Sequence, residues 1–180
     1  IGANGDNYKA MEFAGDGMKN LTMSDRIAIC NLCVEAGAKT ALMEVDDIAL
    51  HYLHEHGREP KACFASDADA HFAAVYDIDL STITPIVAKP HFVDNVCPAK
   101  EATGVKIDEA FLGSCNNGRI EDLRVGAELL KGRKVHPLVR FLVVPASQAV
   151  YQQALKEGLL KIFMEAGAIV MNPNCSVCWG

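Results

Sequence analysis

Apolar and polar residues recur along this chain with two different periods, and the pattern changes near its middle. In the first half Met23, Ile27, Cys30 and Val34 follow one another at spacings of four, three and four, which predicts one buried stripe of an α-helix. Thr22, with Asp25 three residues on, supplies the start signal, and Gly37 lies near the end. Asn31 and Glu35 are four apart, so on that helix they share a face beside the stripe. A second helix is predicted from Asp46 as cap, through Ile48, Ala49, Leu50 and Leu53, to Gly57. From Tyr76 to Leu80 the period drops to two, with Asp77 and Asp79 between apolar residues, the pattern of a half-buried strand.

Pro85, Pro90 and Pro98 then break regular structure, and a strand, loop, helix pattern follows. Ala110 to Leu112 predict a strand, Gly113 to Gly118 a loop, and Ile120, Leu123, Ala127 and Leu130 a helix stopped by Gly132. Val139 to Val144 predict a second strand and Ser147 caps a helix running to about Glu157. A shorter helix over 159–166 ends at Gly167, and Ala168 to Met171 predict a third strand. Such alternation implies an α/β fold with a mainly parallel sheet and right-handed crossovers. The expected organisation is a first α/β lobe over 1–90, a linker over 91–104, and a second lobe over 105–180.

Composition narrows the function classes. Half of the 180 residues are apolar and 22% are charged, and no apolar run approaches the ~18 residues that cross a bilayer, so a soluble protein without a membrane role is expected. The net charge is −6 with Lys and Arg scattered, which argues against a nucleic-acid partner. Seven cysteines without a signal peptide point to a reducing cytoplasm, where thiols bind metals or pack in cores. The chain begins at Ile1 and stops two residues after Cys178, which reads as a piece of something longer.

Three cysteines carry the candidate chemistry. Cys115 lies in Gly-Ser-Cys-Asn-Asn-Gly-Arg, and Cys175 and Cys178 in Asn-Pro-Asn-Cys-Ser-Val-Cys-Trp-Gly, each group following a short apolar run. If both runs are parallel strands, the three sulfurs emerge at one sheet edge, where α/β folds place ligands. Three thiolates can hold an iron-sulfur cluster with one iron left open for Lewis-acid chemistry. Other readings stand beside this one. Cys30 and Cys33 also form a Cys-x-x-Cys pair, but in mid-helix, where a small core residue is favoured over a redox motif. A zinc site built from both pairs would span most of the chain. Cys63 and Cys97 have no partner pattern. His51, His54 and His56 match no zinc signature and suit a solvated face. Gly-Ala-Asn-Gly-Asp-Asn near the start lacks the ending of a phosphate loop and suits a plain turn.

Four stretches, Met-Glu-Phe-Ala-Gly-Asp-Gly (11–17), Ile-Cys-Asn-Leu-Cys-Val-Glu-Ala-Gly-Ala (29–38), Gly-Ser-Cys-Asn-Asn-Gly-Arg-Ile-Glu-Asp-Leu-Arg (113–124) and the closing Cys-x-x-Cys-x-Gly, together resemble the aconitase family. Within it they resemble the isopropylmalate dehydratase large subunits and their homoaconitase relatives. The resemblance implies a three-layer αβα iron-sulfur domain and a [4Fe-4S] cluster held by Cys115, Cys175 and Cys178. It also implies that Asn31 and Glu35 hydrogen-bond the oxygen lost and regained in the reaction. The implied activity is hydro-lyase isomerisation of a hydroxy di- or tricarboxylate by dehydration and rehydration, as in leucine biosynthesis. The partner implied is a small subunit, whose swivelling domain brings a serine base. Homoaconitase, 2,3-dimethylmalate dehydratase and a non-catalytic metal-holding module are the alternatives. The isolated segment is expected to be inactive and, in air, to lose its cluster.

Overall fold

The computed structural model describes residues 2–175. By its internal contacts the chain divides into two compact units, residues 1–103 and 104–180. Both are α/β, with parallel and antiparallel strand pairs between them.

The first unit opens with a turn at its Gly- and Asn-rich start and then a short strand, β1 (Ala10–Phe13). Helix α1 (Met23–Leu32) returns the chain to β2 (Thr40–Met43), which pairs in parallel with β1, Ala10 opposite Thr40. Neither strand is expected from the sequence pattern. The start of α1 is as predicted: the Thr22 hydroxyl accepts the Asp25 N–H at 3.2 Å, and Asp25 accepts the Thr22 N–H at 2.8 Å. Its end differs from the prediction. The helix stops at Leu32 and tightens into a 3₁₀ turn over Cys33–Ala36, closed by Gly37 in the left-handed region. At three residues per turn the tighter winding carries Val34 off the expected stripe, leaving it 63% exposed while Cys33 is buried.

Helix α2 (Asp47–Glu55) begins at Asp46, whose carboxylate accepts the Ala49 N–H at 3.1 Å. The same carboxylate receives both Nη1 and Nη2 of Arg26, each at 2.7 Å. Arg26 is 2% exposed and also donates to the carbonyls of Met18 at 2.7 Å and Leu21 at 3.2 Å. One buried guanidinium thus ties α1 to the start of α2.

The strand expected over Tyr76–Leu80 does not form. Tyr76 and Ile78 are each 63% exposed, and the residues are irregular up to a 3₁₀ turn at Leu80–Thr82. An alternating segment needs a neighbouring strand to become a ladder. Here Asp79 instead accepts hydrogen bonds from the N–H and hydroxyl of Ser81, at 2.9 and 2.7 Å, a local cap that competes with pairing. Farther on, β3 (Ile86–Ala88) and β4 (Val96–Pro98) form an antiparallel pair, and a 3₁₀ turn occupies Ala99–Ala102.

The second unit follows its sequence pattern closely. Strands β5 (Glu109–Gly113), β6 (Arg140–Val144) and β7 (Ile169–Val170) form a parallel sheet in chain order, with Gly113 opposite Val144 and Val143 opposite Val170. A four-residue helix, α3 (Ser114–Asn117), replaces the loop expected after β5. Helices α4 (Ile120–Leu130), α5 (Gln148–Lys156) and α6 (Leu159–Ala166) pack against one another, with α4 on β5 and α6 on β7. Ser147 caps α5, its hydroxyl accepting the Val150 N–H at 3.2 Å. Their shared core is Leu123, Ala127, Val143, Ala154, Leu160 and Phe163, all 3% exposed or less. On the outside, Arg124 Nε and Nη2 bind Glu157 at 2.8 and 2.7 Å, tying α4 to the end of α5. Among the described residues no helix is long and apolar enough to cross a membrane.

Candidate metal centre

The turn after β5 is built around two glycines. A Cβ on Gly113 would lie 2.0 Å from the carbonyl oxygen of Val144, at the end of the neighbouring strand; one on Gly118 would lie 2.4 Å from the same oxygen. Gly113 also has φ +134, a conformation open to glycine alone. Ser114 follows at φ +64, fully inside the protein at 2% exposure. The turn is sealed by Gly118 N–H to the Ser114 carbonyl (2.9 Å) and Ala146 N–H to the Gly118 carbonyl (2.8 Å). Backbone therefore presses on backbone at the carboxyl end of β6, and Cys115 projects from the result as an exposed thiol.

Past β7 the Met171 N–H still bonds the Val143 carbonyl at 2.9 Å, so the chain leaves the sheet only at Asn172. Pro173 and Asn174 lead to Cys175, where the Asn174 side-chain amide donates to the Asn172 carbonyl at 2.6 Å. The Cys115 and Cys175 sulfurs stand 3.9 Å apart although sixty residues separate them in the chain. That is far beyond the ~2.05 Å of a disulfide. Two soft sulfur donors at one point suit a thiophilic metal. Cys178, the third expected ligand, lies outside the described residues, among which no three His, Cys, Asp or Glu side chains are placed to hold a metal ion.

Polar groups flank the thiol pair. The Asn116 amide donates to Asn117 Oδ1 at 2.9 Å, and Arg119 Nη2 reaches the Cys115 carbonyl at 3.5 Å. Asn116 Oδ1 and Arg119 Nε are buried without a hydrogen-bond partner among the described residues. Asp122 closes the start of α4 by accepting the Arg119 N–H at 3.1 Å. Burial raises the Asp122 pKa, and the bond from the Arg119 N–H opposes that rise.

Asn31 lies in the last turn of α1 and Glu35 in the 3₁₀ turn beyond it; both are exposed. Cys30 and Cys33 show no active-thiol environment. Burial raises the pKa of Cys30 and Cys33, and Cys33 Sγ donates to the Ile29 carbonyl at 3.2 Å, the behaviour of packed thiols rather than nucleophiles. Of the pair it is Cys33 that is buried, while Cys30 is only half-buried. Cys97 is buried and Cys63 exposed. His51, His54 and His56 are exposed; His51 and His54 face Glu55 and Glu59 at 3.3 and 3.1 Å. Sequence reasoning overlooked Arg26, whose place among apolar helix residues was the available signal. It also overlooked Arg119 as a neighbour of Cys115, because the two lie on either side of the break between α3 and α4, where no helical spacing applies.

Residues 1–104 and 98–180 match the aconitase family (aconitate hydratase), and the chain belongs to that family. Within the family, the 3-isopropylmalate dehydratase large subunit of Acetivibrio thermocellus is 48% identical over 180 residues, a match covering all of this chain and 43% of that protein. The corresponding large subunit of Caldicellulosiruptor saccharolyticus is 48% identical over 181 residues, covering all of the chain and 42% of that protein. That of Aquifex aeolicus is 48% identical over 185 residues, covering all of the chain and 43% of that protein. The chain spans less than half the length of these relatives.

Proposed function

We propose that this chain is the cluster-bearing part of the large subunit of an iron-sulfur hydro-lyase. The reaction is the interconversion of 2-isopropylmalate and 3-isopropylmalate by dehydration and rehydration, in leucine biosynthesis. The partner is a small subunit carrying the swivelling domain. The observation that carries the reading is the meeting of Cys115 and Cys175 at 3.9 Å, from loops that follow two strands of one parallel sheet. The described residues fit the group: the thiols are soft donors, the two glycines let the turn carrying Cys115 pack closely on the end of β6, and Arg119 Nε offers a buried N–H with no acceptor among the described residues.

In this reading Cys115, Cys175 and Cys178 hold a [4Fe-4S] cluster. When bound, it supplies an open iron position that polarises a hydroxyl as a Lewis acid. The chain's own residues do the rest. Asn31 and Glu35 belong to the first lobe, over 1–90, and the cysteines to the second, over 105–180, joined through 91–104. Asn31 orients the hydroxyl of a small di- or tricarboxylate through its side-chain amide. Glu35 passes a proton to or from that oxygen as water leaves or returns. Abstraction of the proton from the neighbouring carbon falls to the small subunit. The setting is the cytoplasm, where glutathione keeps the ligand thiols reduced.

Anaerobic purification of the full-length subunit, followed by iron, sulfide and zinc analysis, tests the cluster. Four irons and four sulfides per chain are expected. Stoichiometric zinc without sulfide would identify a metal-holding module instead. Hydration of isopropylmaleate by the loaded subunit with its small partner tests the reaction, and an intact, loaded complex without turnover refutes it.

A further inference from the structure

The turn that presents Cys115 leaves three polar contacts incomplete, and all lie within four residues of the thiol. Arg119 Nη2 meets the Cys115 carbonyl only at 3.5 Å, the outer limit of a hydrogen bond. Among the described residues Arg119 Nε is a buried donor without an acceptor, and Asn116 Oδ1 a buried acceptor without a donor. Each such atom carries an unrepaid desolvation cost, and native proteins keep few of them. The backbone has no slack with which to satisfy them, because Gly113 and Gly118 are already pressed against the Val144 carbonyl. Any tightening must come from the side chains of Asn116 and Arg119. A guanidinium stays charged at every accessible pH, so Arg119 brings a fixed positive charge next to the residue proposed to carry a thiolate.

Resting on the cluster reading above, we propose that Arg119 is a positioning residue for Cys115: its guanidinium holds the Cys115 carbonyl and keeps a positive charge and a spare N–H behind the ligand. Two consequences follow for a loaded site. The orientation of the thiolate depends on the fork-shaped guanidinium, so losing the fork loosens the iron. The positive charge favours the reduced cluster, which carries one more negative charge, so losing the charge lowers the reduction potential.

The full-length subunit is prepared anaerobically as wild type, R119K and R119Q, and iron and sulfide content, midpoint potential and the rate of iron loss to a chelator are measured. R119Q is expected to shift the midpoint to lower potential and to lose iron about tenfold faster, the loosening typical of a missing ligand support. R119K, which keeps the charge without the fork, is expected to hold the wild-type midpoint while losing iron at the R119Q rate. Loaded R119Q with wild-type midpoint and wild-type iron loss overturns this inference alone. R119K that matches wild type in both readouts overturns the role of the fork. A wild-type subunit that takes up no iron and sulfide overturns the parent reading, and this one with it. Should R119Q not fold, the R119K comparison still decides the role of the fork.

Discussion

Replacing Asp46 by Asn tests the interaction that organises the first unit. Asn caps helices as well as Asp, so the bond to the Ala49 N–H survives and only the charge opposite Arg26 is lost. Arg26 is 2% exposed, with two of its bonds made to that carboxylate at 2.7 Å. Removing the carboxylate leaves the buried guanidinium without its counter-charge, which costs about 3–5 kcal/mol where both partners are buried and less here, where Asp46 is 29% exposed. The pKa of Asp46 gives an independent magnitude. The Arg26 hydrogen bonds hold the carboxyl down at about 2 against an ordinary 3.8. At ~1.4 kcal/mol per unit, the carboxylate contributes at most about 2.5 kcal/mol at neutral pH, reduced by solvent screening of a side chain that is 29% exposed. Because the folded pKa is the lower one, that stability is fully present above pH 3.8 and is lost as pH falls through about 2. Urea unfolding of the full-length subunit, followed by circular dichroism, should therefore show D46N less stable than wild type by up to about 2.5 kcal/mol at pH 7. The gap should narrow steadily between pH 4 and pH 2. A gap below about 0.5 kcal/mol at pH 7, the size of an ordinary surface substitution, refutes the argument. So does a gap independent of pH.

Other outcomes follow from the second unit and the proposed chemistry. Gly113→Ala, whose Cβ would lie 2.0 Å from the Val144 oxygen, should cost about 2 kcal/mol or more in chemical denaturation and reduce iron uptake. Phe163→Ala, at a fully buried position, should cost about 3–5 kcal/mol in the same assay. Cys115→Ser and Cys175→Ser should each abolish binding of the full iron and sulfide complement, whereas Cys63→Ser, at an exposed thiol outside the proposed ligand set, should retain it. Glu35→Gln should lower kcat about 10²- to 10⁴-fold with the cluster's absorbance unchanged; wild-type kcat would remove Glu35 from proton transfer.

The second unit was more legible in the sequence than the first, for a physical reason. Its helices carry strong caps and stops, such as Ser147 and Gly167; α4 and α6 pack on strands close in sequence, and α5 packs on both of them. Local signals and tertiary packing agree there. In the first unit they diverge. The strands β1 and β2 have only four residues each, too short for periodicity to register beside the glycines that precede them. The alternation from Tyr76 to Leu80 is genuine, but the Asp79 cap engages the backbone locally and no ladder forms. Arg26 stands out as a charge among apolar helix positions, but its partner is a carboxylate twenty residues away, and pairing at that distance leaves no period.

For the thiol pair, the sequence pointed to the right edge of the sheet, while the closeness of approach depends on packing that no motif displays. Strands β5 and β7 lie on either side of β6, so their ends are two strand spacings apart, about 9.6 Å. Sulfurs carried straight out from those ends would stay at that separation. They meet at 3.9 Å because the loops bend toward each other over the end of β6. The turn after β5 can pack onto the Val144 carbonyl only because Gly113 and Gly118, which face it, carry no Cβ. Read from sequence, these glycines signify backbone freedom near a bulky group; in the folded chain they signify clearance. The distinction is testable at Gly118, which has no positive φ to relieve. If freedom were the requirement, Gly118→Ala would be tolerated with full iron uptake. Clearance requires that a single methyl, 2.4 Å from the Val144 oxygen and 2.6 Å from the Ser114 oxygen, displace the turn and separate the thiols.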